Sequence, residues 1–307
     1  MLSRSQENRL WRHGLTYLHD AASLKILLGE PTLLNGLLCY HDGRVVTLCG
    51  YPLRDEVPGP DSYELAARSL MTDVQPFEAL ALVGPWRMES LPDKELVSCM
   101  ESSSRLLADL FLTLDDYSFR NIRAFKQARR REGLRTVVDR ERGFSAHHLR
   151  LLEHFLASRW SEDLESNLNL MEYAVSLWPL AALRQAEMIN IYEGSRLCGF
   201  SIWRHAFRDV GIGSFIMTDG TPYASDALVS ASLESARRRN ISFFNLAPSL
   251  SYGQYRFKVK WKAYPLVGVP VIQVFAREGA RLENLRSYWT RLFFPLYLKG
   301  RETGRDN

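Results

Sequence analysis

AEMINIYEGSRLCGFSIWRHAFRDVGIGSFIMT, residues 186–218, decides the fold. Ala186 to Tyr192 and Leu197 to His205 are apolar runs joined at Glu193-Gly194, so they read as a hairpin. Val210 to Thr218 is a third strand. Thr221-Pro222 leads into a helix from Ser225 to Arg239, and Ile241 to Leu246 is a buried strand. Val269 to Phe275 supplies the last strand. Three consecutive antiparallel strands, a helix, a strand, a helix and a final strand make a mixed, mostly antiparallel sheet flanked by helices.

Upstream the same alternation recurs in poorer form. Leu37 to Tyr40 and Arg44 to Leu48 make a hairpin turning at Asp42-Gly43. A Pro-Gly-Pro loop at 58–60 precedes a helix capped by Ser62 and running through Met71, and Ala79 to Val83 is a strand. Leu106 to Leu114 reads as a strand, and Ser118 caps a basic helix that Gly133 ends. Leu134 to Asp139 is another strand. Ser145 starts a helix through Trp160 with Leu149, Leu152, Phe155 and Leu156 at helical spacing. Residues 163–182 read as helical, and Arg281 to Phe294 as a closing helix. The expected class is therefore α/β (α+β) with two similar lobes. Residues 1–144 form the degenerate lobe with the basic helix, and residues 145–307 the catalytic lobe with the closing helix.

The 307 residues, 46% hydrophobic and 24% charged, describe a globular chain long enough for two domains. The net charge of +4 favours an anionic partner. Cys39, Cys49, Cys99 and Cys198 form no CxxC and no histidine cluster, which argues against a metal site and a disulfide framework and for reduced cytoplasmic thiols. The first residues lack the apolar core of a signal peptide, and no window reaches the length of a membrane span.

The segment FFNLAPSLSYGQYRFKVKWKAYP, residues 243–265, carries the chemistry. A buried strand delivers a Pro/Ser/Gly loop and then alternating rings and cations, a composition suited to a phosphate-bearing ligand whose base stacks on a ring. An ordinary exposed amphipathic helix is the alternative. The basic helix presents Arg120, Arg123, Lys126 and Arg130 with Arg129 and Arg131. It is either a solvated face or a phosphate track, and the segment at 255–262 is its partner in the second case.

The strand order matches the acetyltransferase-type fold called GNAT. Residues 243–265, with LFLTLDDYSFRNIRAFKQARRREGLRTVV upstream, resemble tandem-GNAT aminoacyl transferases: the Fem-type peptidyltransferases and the soluble domain of lysylphosphatidylglycerol synthases. The resemblance implies transfer of an amino acid from aminoacyl-tRNA, as co-substrate, to a small-molecule amine or hydroxyl, with no cofactor and no covalent enzyme intermediate. It implies that Phe257 stacks near the terminal adenosine and that Lys258 contacts the tRNA end and stabilises the oxyanion. Arg256, Lys260 and Lys262 would join Phe257 in binding tRNA. The family often carries Gly where this chain has Lys262. The lipid enzymes accompany a membrane part, so peripheral lipid contact is a further expectation, without an integral membrane segment.

Tyr252 and Tyr255 flank the expected active loop and are assigned as catalytic hydrogen-bond donors beside Lys258. Asn245, Ser249 and His205 are assigned to substrate binding, with His205 a general-base candidate. In TDGTPYASDAL, residues 218–228, Gly220 is the only glycine, and Asp219 and Asp226 would repel a pyrophosphate at the following helix. That argues against an acyl-CoA donor, the second function considered. A non-catalytic RNA- or membrane-binding relative is the third.

Overall fold

The computed structural model describes residues 2–55, 60–73, 77–89, 91, 96–103, 105, 108–114, 123, 133–139, 143–159, 185–249 and 252–278. The chain forms two compact units, each built on its own sheet.

The first unit opens with α1 (Arg4–His13), a short 3-10 turn at Tyr17–His19 and α2 (Ala21–Leu28). Strands β1 (Glu30–Leu34), β2 (Leu37–His41) and β3 (Val45–Cys49) follow, then α3 (Pro60–Asp73), β4 (Ala79–Gly84) and β5 (Leu96–Ser103). The turn between β2 and β3 forms as expected. Asp42 Oδ1 accepts the N–H groups of Arg44 and Val45, and Gly43 takes φ +93°, where a side chain would be strained. VVTLC in β3 is buried throughout, and Val46 and Leu48 share one apolar cluster with Tyr63, Ala66, Ala67 and Leu70 of α3.

The second unit contains β6 (Leu110–Thr113), β7 (Leu134–Asp139), α4 (Ala146–Arg159), β8 (Ala186–Glu193), β9 (Arg196–Phe207) and β10 (Val210–Thr218). Next come α5 (Ala224–Arg238), β11 (Phe243–Asn245), α6 (Tyr252–Lys260), which enters the second unit at Arg256, and β12 (Tyr264–Pro265), which leaves it after Tyr264. The last described strand, β13 (Val271–Arg277), belongs to the first sheet. The sheet orders are β1-β2-β3-β4-β13-β5 and β12-β6-β11-β10-β9-β8-β7.

The expected class holds: mixed α/β, two sheets flanked by helices. The expected partition into consecutive blocks at 144/145 differs from the strand membership. β6 and β7 lie in the second sheet, and β13 lies between β4 and β5 of the first. The reason is pairing, which is non-local. Val271–Ala276 offers an apolar strand that pairs on both edges, with β4 from Ala79 to Gly84 and with β5 from Val97 to Ser103. Strands β1 and β5 had no counterpart in the sequence reading. Leu134–Asp139 and Val210–Thr218 have their expected bounds. The basic-helix residues other than Arg123, residues 160–184 and the closing helix lie outside the described residues.

Core packing around β10 prepares the site. Trp203 and Phe244 are almost wholly buried, each contributing about 3 kcal/mol by burial. Their rings pack 5.9 Å apart beside Gly211 and Gly213, where an added Cβ would come within 3.2 and 3.1 Å of Phe244. Glu187, buried on β8, accepts from Trp203 Nε1 at 3.2 Å and pairs with Arg239 just past α5, holding that helix on the sheet.

Candidate active site: the parted strands and helix α6

β10 and β11 run parallel but pair through only three registers, Val210↔Phe243, Gly211↔Phe244 and Ile212↔Asn245. β11 ends there, while β10 continues to Thr218. Just past the last pair β10 bulges: Gly213 opposes Trp203 and Phe215 opposes Ile202, leaving Ser214 as the extra residue. The two strands therefore part at a defined point.

Asn245 shapes the exit from β11. It is fully buried, and its Oδ1 accepts Ala247 N–H at 2.6 Å, an Asx turn that fixes Ala247 at φ +58°. An alanine there costs about 1 kcal/mol over glycine. The turn directs the Ala247 carbonyl at Lys258, whose Nζ donates to it at 2.7 Å. Lys258 is half-buried, so its ammonium is held at the end of β11 where the strands part.

Helix α6 is anchored by its C-terminal end. Ala263 N donates to Lys258 O at 3.3 Å and Lys262 N to Val259 O at 2.7 Å, the two bonds of a Schellman cap. Lys262 occupies the left-handed position at φ +61°. Glycine is the residue that fills such a position without strain. Trp261 is fully buried and donates from Nε1 to Asp226 Oδ1 at 3.1 Å. Lys260 Nζ reaches the same carboxylate at 2.7 Å and lies 4.8 Å from the Phe257 ring centroid. Asp226, in the first turn of α5, is thus the anchor of α6.

The expected site residues therefore separate. Lys258, Asn245, Phe257 and Lys260 come together around the end of β11 and α6. Lys260 is exposed and is engaged with Asp226 and Phe257, because a nearly buried carboxylate requires a cation. Arg256 and Lys262 are exposed, as is Arg123, while Arg120, Lys126 and Arg130 lie outside the described residues. Tyr252 is 65% exposed, Tyr255 is half-buried, and Ser249 is fully buried with a hydroxyl lacking a hydrogen-bond partner among the described residues. His205 stands apart. It lies beside the β9–β10 turn, with Nε2 donating to Arg208 O at 3.2 Å, at the end where β11 begins. Burial holds its pKa below the ordinary histidine value.

The acids expected to repel phosphate carry cations instead. Asp219 pairs with Arg196 and accepts Thr221 N–H at 2.9 Å; burial would raise its pKa, but these partners bring it below the usual carboxylate range. Asp226 carries Lys260. Repulsion is therefore reduced, while the entry to α5 is filled by internal ion pairs.

His148 is a buried structural pin. Its Nδ1 accepts Ser145 N–H at 3.0 Å, and its Nε2 donates to Asn190 Oδ1 at 2.9 Å. Burial pushes its pKa down, opposed by Asn190 and Asp139. Sequence reasoning missed Ser214 and the role of Ala247. Two glycines inside a strand, Gly211 and Gly213, were the available signal, since interior strand glycines mark bulges. Among the described residues no group of three or more His, Cys, Asp or Glu is arranged to hold a metal, and no helix is long and apolar enough to cross a membrane.

No protein-family model matches the sequence, and no curated protein matches it either. Solved structures do match in fold. A conserved protein of unknown function from Bacteroides thetaiotaomicron VPI-5482 is similar at 12% identity, with TM-score 0.60 over 89% of this chain and 96% of that one. FemX is similar at 11% identity, with TM-score 0.54 over 94% and 99%. The C-terminal domain (DUF2156) of a protein assigned as a lysylphosphatidylglycerol synthetase, from Agrobacterium fabrum, is similar at 13% identity, with TM-score 0.52 over 94% and 97%. The chain thus shares the fold of FemX and of the lysylphosphatidylglycerol synthetase C-terminal domain.

Proposed function

We propose that the chain is a GNAT-fold acyltransferase that takes an amino acid from aminoacyl-tRNA and joins it to a small-molecule amine or hydroxyl. The observation that carries this reading is Lys258, an ammonium parked on the Ala247 carbonyl at the point where β10 and β11 part, directly after Phe257. The acceptor nitrogen attacks the ester carbonyl, and the oxyanion that forms takes a hydrogen bond from Lys258 Nζ. Collapse breaks the bond to the terminal ribose oxygen, which leaves with the proton lost by the amine. The Phe257 ring offers a stacking surface for the terminal base, and exposed Arg256 and Lys262 neutralise phosphates. Arg120, Arg123, Lys126 and Arg130 would extend that track. Tyr252 would donate a hydrogen bond to the acceptor. Charged tRNA as donor makes the cytoplasm the expected compartment.

An acyl-CoA donor receives less support. The loop before α5 has one glycine, and Asp219 in it and Asp226 in the first turn of α5 hold Arg196 and Lys260 at the helix entry. The test is incubation with radiolabelled aminoacyl-tRNAs and a panel of amines. Label in a small product, abolished by RNase, is the expected result. Micromolar binding of acetyl-CoA in calorimetry would reverse the order of the two readings.

A further inference from the structure

The hydroxyl of Ser214 is buried and has no hydrogen-bond partner among the described residues. A buried hydroxyl without a partner is costly, so such a group calls for an explanation. Its position supplies one. Ser214 is the unpaired residue of the β10 bulge, two positions beyond Ile212, the last residue of β10 that pairs with β11. The added Cβ of neighbouring Gly213 would lie 3.7 Å from the Asn245 carbonyl oxygen. Asn245 in turn forms the turn at Ala247 on which Lys258 rests. The orphan hydroxyl therefore sits on the strand that borders the parting, in the unit that holds Lys258.

The first unit provides an internal control. Its equivalent parallel pair, β3 and β4, stays in register through five residues, β3 pairs with β2 without the register shift that β10 shows against β9, and the residues of β3 leave no orphan hydroxyl among the described residues. The bulge and an unsatisfied hydroxyl occur together on β10, the strand that borders the opening.

We infer that Ser214 binds the amino-acid moiety of the donor, its hydroxyl completing its hydrogen bonding only when a polar group of that moiety enters between β10 and β11. The inference rests on the proposed donor. It makes two demands that a packing residue would not meet together. Removing the hydroxyl leaves the free protein at least as stable, and it removes discrimination in favour of the charged donor.

The experiment measures filter binding of aminoacylated and deacylated bulk tRNA, together with thermal melting, for the wild-type protein, Ser214→Ala and Ser214→Thr. The wild-type protein is expected to prefer the charged form. Ser214→Ala is expected to lose about tenfold of that preference, the effect of one hydrogen bond to a charged group, while melting no lower than wild type. Ser214→Thr, which keeps the hydroxyl, restores the preference. A Ser214→Ala protein that keeps the preference, or that melts below wild type, overturns the assignment, the second outcome because it reveals an internal partner. Equal binding of charged and deacylated tRNA by the wild-type protein removes the donor reading itself and the assignment with it, so the two failures are read from different proteins.

Discussion

Strands β3–β4 and β10–β11 are the same element pair used twice. Each is parallel, joined by a crossover helix, α3 or α5, and flanked by an antiparallel strand, β13 beside β4 and β6 beside β11. They differ in how far they stay together. β3 and β4 pair from Val45↔Ala79 to Cys49↔Val83, and Gly50 N–H extends the ladder to Val83 O at 2.7 Å. Gly84 then closes against Gly50, where an added Cβ would come within 2.8 Å of Gly50 Cα. β10 and β11 stop after three registers, behind a bulge. One unit has its parallel pair zipped and the other has it parted. A fold repeated in tandem does not repeat its site, and the difference amounts to a few backbone hydrogen bonds and a pair of glycines.

If the parted pair carries the chemistry, its cation matters most. Lys258→Ala is expected to lower turnover by about 10²–10³ with little change in folding, the effect of one preorganised oxyanion donor. Steady-state kinetics at saturating donor check this. A raised KM with unchanged kcat would instead make Lys258 a phosphate contact.

The zipped unit depends on a buried neutral histidine. His19 accepts Leu15 N–H at 3.2 Å and donates to Tyr51 O at 2.9 Å, and burial lowers its pKa to about 4. The unfolded chain binds this proton first, near pH 6.5. The stability from this site is therefore complete above pH 6.5 and is lost as pH falls through about 4. The gap corresponds to about 3 kcal/mol. Urea denaturation from pH 7 to pH 4 should show this decline, and His19→Gln should flatten it. Hydrogen exchange in acid should find the first unit opening before the second.

The glycines that zip one pair should tolerate less than those beside the other. Gly84→Ala drives a methyl into backbone and should cost about 2–3 kcal/mol. Gly213→Ala meets the Phe244 ring, which can shift, and should cost under about 1 kcal/mol. Chemical denaturation of both variants sharpens the comparison; equal costs would break it. The smallest effect is a gain. Lys262→Gly relieves a left-handed lysine at the cap of α6 and should stabilise by about 0.5–1 kcal/mol, read as a higher Tm.

Most of the second sheet was legible. The hairpin at Glu193-Gly194 and the third strand read in 186–218 are β8 to β10, and Val210–Thr218 has its expected bounds. Residues 252–260, whose rings and cations also fit an exposed amphipathic helix, form a helix. Phe257 and Lys258 were named from the aromatic-basic pattern and a family resemblance, and Lys258 lies where the strands part. Lys260 and Asp226 were assigned separately, one to tRNA and one to repulsion. Nothing in the sequence says that residues 34 apart share an ion pair. His205 was placed near the site because it ends a strand, but a strand has two ends, and register with β11 decides which one matters.

The sequence by itself determined the local elements, since side-chain periodicity and turn chemistry act over a few residues. It also supplied the cations and rings of α6. Only the tertiary structure decided which sheet β13 and β6 complete, where β10 and β11 part, and which hydroxyls are left without a partner among the described residues. Those outcomes depend on pairing between segments far apart in the chain, whose closure entropy and register are properties of the whole fold rather than of any short stretch.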